Sequence, residues 1–268
     1  MTGASGFVGQ AVVAALRASG QDVVAVARHA GDGFRGVRDY AELAPDNAED
    51  ALIHLAETND IAAAEAAGEA HVEACRRLFT ALLSKGWSHV VYASSAAVYG
   101  DGVHRPRQPD EAVAPGGSYG RAKVACEELA VCAGGAVARL GNVYGPGMSG
   151  SNVLGGILRQ IPGDGPILVR DTSPVRDFLW IADAGTGLAV MATGRARGIY
   201  NLGSGQGTSV GELARAALAA AGEKHRAVVA TMPGDRQSHL VLDASMTVGL
   251  GWHPEASLAE GLAQMVQQ

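Results

Sequence analysis

Gly3, Gly6 and Gly9 are spaced GxxGxxG within Thr2-Gly3-Ala4-Ser5-Gly6-Phe7-Val8-Gly9 and lead straight into the alanine-rich stretch from Gln10 to Ala18. A glycine turn that opens a helix lets the backbone approach a pyrophosphate, whose charge is met by the free N–H groups of the first helical turn. The same spacing also serves a tight turn that only packs a helix onto a sheet. The context favours the cradle: an alanine-rich helix follows at once, and after it the apolar, β-branched run Asp22 to Ala27, the order a dinucleotide-binding unit requires.

The remaining pattern fits that start. Ala51 to Ala56, Val90 to Ala93 and Val137 to Leu140 read as buried strands, with helices expected around Ala62 to Lys85 and Tyr119 to Cys132. Strands alternating with helices predict right-handed βαβ units and a parallel sheet, an α/β fold. From Met148 the pattern loosens, with helices near Val153 to Gln160, Ala182 to Ala192 and Val210 to Ala221. Short strands are expected near Ile167 to Val169, Phe178 to Trp180 and Tyr200 to Leu202. One element is short. The strand before the glycines is central in such a unit, yet only Met1 and Thr2 precede Gly3, so further upstream residues are expected to complete it.

Composition narrows the function classes. Apolar residues make up 47% of the 268 positions and charged residues 18%, which is globular rather than disordered. The net charge of -6 disfavours a phosphate-backbone binder, so no nucleic acid partner is expected. No apolar run reaches the ~18 residues of a membrane helix. Cys75, Cys126 and Cys132 are odd in number and lack CxxC spacing, which suits buried or inert thiols in a reducing, cytoplasmic setting. The histidines show no metal-ligand spacing, so no metal is expected, and His54 within an apolar strand reads as a core histidine.

The chemistry is carried by sparse residues. Tyr119 and Lys123 stand at i and i+4, on one face of a helix. An ammonium near a phenol favours phenolate, bringing the group toward the range where it exchanges a proton with a carbinol. Ser94 and Ser95 follow the strand ending at Ala93, at the end where open α/β sheets bind ligands, and a hydroxyl there can hold an oxygen that gains charge. At the tip of the second strand, where a carboxylate would select NAD, stand Ala27 and Arg28; a guanidinium suits a 2′-phosphate, which favours NADP over NAD.

The chain resembles the extended short-chain dehydrogenase/reductases, in their nucleotide-sugar-modifying NAD-dependent epimerase/dehydratase branch. The matching pieces are TGASGFVG (2–9), LIHLA (52–56), SSAAVYG (94–100), SYGRAK (118–123), NVYGPG (142–147), RDFLWIADA (176–184), YNLGSG (200–205) and LGWHP (250–254). The resemblance implies a Rossmann-type doubly wound parallel sheet over 1–147 and about 178–202, with a smaller C-terminal α/β substrate-binding region over about 148–177 and 203–268.

It also implies roles. Tyr119 is the acid/base, Lys123 its partner and a ribose contact, and Ser95 the ligand of the substrate oxygen. Gly3, Ser5, Gly6, Phe7, Val8, Gly9, Arg28, Leu55, Ala56, Ala93 and Ser94 would hold the dinucleotide with Tyr119 and Lys123. Asn142, Arg176 and Arg236 would meet the substrate. Relatives often dimerise through a helical bundle, so a homodimer is expected.

The departures are informative. Ala96 and Ala97 replace the Asp-Glu pair of sugar-dehydrating members, which argues against 4,6-dehydration. Met232 replaces an arginine that grips the diphosphate in many relatives, leaving Arg236 as a substitute, and Glu57 stands where alanine is common. A 4-ketoreductase and an epimerase acting on an NDP-hexose both remain open. So do a dehydrogenase or reductase of another sugar or small carbonyl, and a non-catalytic dinucleotide-binding regulator.

Overall fold

The structure is a computed structural model that describes every residue but Asp32, Asn59, Pro233, 235–237 and Gln268. Side-chain alternation in the central strands decides its layers. Ile53, Val91, Ala93, Ala136 and Ala138 face one side, against Val12, Val13 and Leu16 of the Phe7–Ala18 helix and Leu188 and Met191 of the Ile181–Thr193 helix. Leu52, Val90, Tyr92 and Val137 face the other, against Val72, Phe79 and Leu82 of the Glu69–Leu83 helix and Ala122, Cys126 and Ala130 of the Ser118–Cys132 helix. A sheet covered on both faces is the doubly wound arrangement.

The strands of this sheet are all parallel. Their order is Arg35–Gly36, Val26–Ala27, Thr2, Ala51–His54, His89–Ser95, Ala136–Leu140 and Gly198–Leu202. Thr2 holds the central place as a pair of single bridges, to Val26 and His54. Its N–H donates to the Ile53 carbonyl at 3.0 Å, and the Val26 N–H donates to the Met1 carbonyl at 2.9 Å. The strand expected over Asp22 to Ala27 is regular only at Val26–Ala27, because a ladder needs partners: Met1 and Thr2 run beside it on one side and the two-residue strand Arg35–Gly36 on the other.

The single helix expected from Ala62 to Lys85 is two, Ile61–Ala67 and Glu69–Leu83, broken at Gly68, whose φ of 59° is a left-handed value that glycine adopts without strain. Cys75 and Cys126 are buried, but Cys132 is exposed, so only two of the three thiols match the buried reading. Among the described residues no helix is long and apolar enough to cross a membrane.

The C-terminal part is built around the Val175–Trp180 strand. It pairs antiparallel with Gly207–Ser209 and parallel with His239–Leu240 and Asn142–Tyr144. Its side chains serve two cores: Leu179 packs into the sheet-and-helix core with Leu188, while Phe178 and Trp180 join Tyr144, Ile157 and Leu213. Asp177 between them is buried and accepts from the N–H groups of Ser204 at 2.7 Å, Gly205 at 3.1 Å and Leu242 at 3.2 Å, which pins three loop positions to one carboxylate.

Candidate active site

The glycine turn is shaped by close packing. Gly3 has φ 68°, and a Cβ there would sit 2.7 Å from the Leu55 carbonyl carbon; a Cβ on Gly9 would overlap the Gly3 carbonyl oxygen. Gly6 precedes the helix and, having no side chain, supplies no cap to the first-turn N–H groups. Over this turn lies a cavity of about 610 Å³, at the C-terminal ends of the parallel strands.

The residues the sequence singles out meet there. Gly3, Ser5, Gly6, Phe7, Val8, Gly9, Arg28, Leu55, Ala56, Ala93, Ser94, Ser95, Tyr119 and Lys123 all line the cavity. So do Tyr40, Glu57 and Thr58, which carry no spacing signal, and Leu140, Gly141 and Val143 from the next strand end. Asn142 and Arg176 are not part of this lining. Asn142 is exposed, and Arg176 bonds the Ser238 hydroxyl at 2.7 Å and lies 3.5 Å from Asp101. Arg236 lies outside the described residues.

Tyr119 and Lys123 ride on the Ser118–Cys132 helix, whose N-cap, Gly117, has no side chain to offer. Glu65 takes over from outside. It accepts from the N–H groups of Ser118 at 2.9 Å and Tyr119 at 3.1 Å and from the Ser118 hydroxyl at 3.0 Å. Those backbone bonds hold its carboxyl below the ordinary carboxylate range. A carboxylate at a helix N-terminus also meets the positive end of the helix dipole, so the turn carrying Tyr119 is fixed at its start.

Lys123 is buried, and its Nζ donates to Glu57 Oε2 at 2.6 Å and to the Ala93 carbonyl at 2.9 Å. It lies 5.8 Å from the Tyr119 ring centre and 5.1 Å from that of Tyr92. Burial opposes the ammonium, but the Glu57 carboxylate outweighs it and holds Lys123 above its usual range. Burial likewise opposes the Glu57 charge, and Lys123 followed by His54 outweighs it, leaving Glu57 below the usual carboxylate range. Tyr92 donates its hydroxyl to the same carboxylate, 3.0 Å from Oε1 and 2.9 Å from Oε2.

His54, expected to be a satisfied core histidine, is satisfied at one nitrogen only. Nδ1 meets the Thr2 hydroxyl at 2.8 Å, whereas Nε2 is buried with no hydrogen-bond partner among the described residues, 3.9 Å from Glu57 Oε1. Burial lowers its pKa to about 4. The unfolded chain therefore binds a proton near pH 6.5 that the folded chain refuses until about pH 4. This contribution is complete above pH 6.5 and is lost as the pH falls toward 4, on the order of 3 kcal/mol in all. Urea unfolding of the parent and of His54→Asn at pH 7, 5.5 and 4.5 checks it: the parent loses stability over that range more steeply than the variant.

The two serines part company. Ser94 donates to Glu127, a buried carboxylate that also takes Arg139 Nη2 at 2.7 Å and Nε at 3.0 Å. Ser95 Oγ accepts from the Ala97 N–H at 3.2 Å, capping the turn Ala96–Tyr99, and the residue lines the cavity. One cavity wall thus carries a phenol, an ammonium and a hydroxyl, a set able to hold an oxygen and move a proton to or from it. The glycine turn, with no Cβ in the way and free N–H groups at a helix start, fits a dinucleotide diphosphate.

Comparisons with known proteins agree with this arrangement. The model of the NAD dependent epimerase/dehydratase family matches residues 1–203. A putative UDP-glucose 4-epimerase of Methanocaldococcus jannaschii is 29% identical over 188 residues, covering 66% of this chain. The match covers 61% of that protein, so the chain spans about three fifths of its length. Two solved structures superpose over 99% of this chain and 96% of their own. RMD from Pseudomonas aeruginosa complexed with NADPH does so with a TM-score of 0.83 at 26% identity. MoeE5 in complex with UDP-glucuronic acid and NAD does so with a TM-score of 0.80 at 28% identity.

Proposed function

Because the chain belongs to the NAD-dependent epimerase/dehydratase family, we propose that it is a nucleotide-sugar oxidoreductase that uses NADP(H) to reduce a keto group of an NDP-hexose, a 4-ketoreductase. The observation that carries this reading is the shared cavity wall of Tyr119, Lys123 and Ser95 above the glycine turn, with Arg28 on the same lining and no carboxylate at Ala27. When bound, the dinucleotide supplies or takes a hydride. Gly3 and Ser5 to Gly9 would hold its diphosphate, Arg28 its 2′-phosphate and Lys123 its ribose. Ser95 donates a hydrogen bond to the substrate carbonyl oxygen, and Tyr119 delivers a proton to that oxygen as it becomes a hydroxyl. Asn142, Arg176 and Arg236 are the candidates for the nucleotide diphosphate of the sugar. A soluble cytoplasmic homodimer completes the proposal.

A second reading, a 4-epimerase that retains NAD, is favoured by the name of the Methanocaldococcus relative. The two differ in their cofactor arithmetic. Fluorescence titration is expected to show NADPH binding at least tenfold more tightly than NADH, about 1.4 kcal/mol, with Arg28→Asp removing the preference. Incubation with UDP- or dTDP-4-ketohexoses is expected to oxidise one NADPH per sugar reduced. Interconversion of an NDP-hexose with its 4-epimer, without net change in the cofactor, would overturn the reductase reading.

A further inference from the structure

We propose that Glu57 is a positioning residue that cancels the charge of Lys123 beside Tyr119, so that the phenol is kept in its protonated, proton-donating form and the site is biased toward carbonyl reduction. The inference rests on the reading of Tyr119 as the acid/base. It starts from a juxtaposition: a buried carboxylate, on the loop after the Ala51–His54 strand, lies 2.6 Å from the ammonium expected to activate the phenol. A lysine ammonium has three N–H donors. Glu57 and the Ala93 carbonyl take two of them, which leaves one for a ribose hydroxyl or for Tyr119.

Among the described residues packed around Lys123, Glu57 is its ion-pair partner. His54 from the strand and Tyr92 from the His89–Ser95 strand stay neutral near pH 7, the first lowered to about 4 by burial and the second raised by burial. Cys75 of the Glu69–Leu83 helix, raised by burial to about 11, and Cys126, raised by burial on the helix of Tyr119 itself, are neutral thiols. Glu65 is held by the backbone at the start of that helix, with Arg121 of the helix 3.6 Å from Glu69, and Arg28 shares the cavity lining. Glu127, one turn further along the helix of Lys123, is buried but closed by its own ion pair with Arg139 at 2.7 Å. Lys123 and Glu57 are thus the charged pair in direct contact here, and their fields at Tyr119 oppose. Tyr92 fixes the carboxylate from its other side, so the pair is held in one geometry. Opposite charges 2.6 Å apart act on a neighbouring group largely as a dipole, so Glu57 weakens the pull that a lone ammonium would exert on a phenol.

The test needs no substrate. Ultraviolet difference titration of each protein against its own Tyr119→Phe counterpart isolates the ionisation of this one phenol. In Glu57→Gln, which keeps an acceptor for Tyr92 and Lys123 but no charge, the midpoint is expected to fall by about one pH unit. In the double variant Glu57→Gln/Lys123→Met, which removes both charges and leaves no uncompensated ion, it is expected to return close to the parent value. An unchanged midpoint in Glu57→Gln overturns the proposal. If the single variant fails to fold cooperatively, a double-variant midpoint about one unit or more above the parent overturns it, because Lys123 would then have been acting unopposed. Failure to reduce any ketosugar would strike the reading of the function and leave this titration result standing.

Discussion

Replacing Tyr119 with phenylalanine is expected to lower turnover on the order of 10²–10⁴-fold, the usual contribution of a positioned acid or base. The ring stays and only the hydroxyl goes. Glu65 holds this residue through its backbone N–H, so the substitution leaves the start of the helix in place. Dinucleotide affinity should change little, since the glycine turn and Lys123 are untouched. The loss should therefore fall on kcat with the dissociation constant of the cofactor nearly constant. Turnover within threefold of the parent, measured at saturating substrate, would remove Tyr119 from the proton-transfer role.

The second large effect belongs to the buried Glu127–Arg139 pair that holds Ser94. Arg139→Met should destabilise the fold by about 3–5 kcal/mol, because it leaves the Glu127 carboxylate charged and buried without its partner. The guanidinium is in contact on every side. It binds Glu127 through two nitrogens, donates to the Pro109 carbonyl at 3.1 Å and lies 4.6 Å from the centre of the Tyr99 ring. Tyr99 in turn carries Arg107 at 4.8 Å and donates to Asn201 at 2.7 Å. Replacing both partners, as Glu127→Leu/Arg139→Met, should cost much less than the single change, since no uncompensated charge remains. Urea unfolding of the two variants beside the parent separates these outcomes; equal costs would mean that packing, not charge, dominates here.

The parts legible in the sequence are those set by local rules. Glycine spacing at Gly3, Gly6 and Gly9 announces a turn whatever surrounds it, and the unbroken apolar run of Val90 to Ala93 announces a strand with two covered faces. Tyr119 and Lys123 meet because four residues are about one helical turn. What stayed hidden depends on partners distant in the chain. Asp22 to Ala25 has the composition of a strand, yet regular pairing needs a neighbour that composition cannot supply. Glu57 reads as a solitary departure until Tyr92 and Lys123 converge on it from positions 35 and 66 residues away. Glu65 resembles any helix-surface carboxylate until it is seen to cap another helix, and Tyr40 enters the cavity from the short 3-10 helix Tyr40–Glu42 and Thr58 from a loop. Gly68 could be foreseen as a weak point, but the backbone reversal that splits the helix there is a tertiary outcome.

The Val175–Trp180 strand turns Leu179 toward one core and Phe178 and Trp180 toward another. Such a member behaves as a rivet through two plates. Displacing this strand would have to shear well-packed aromatic and aliphatic contacts in both cores at once, and close-packed interiors resist that kind of gradual deformation. The strand therefore ties the packing of one core to that of the other.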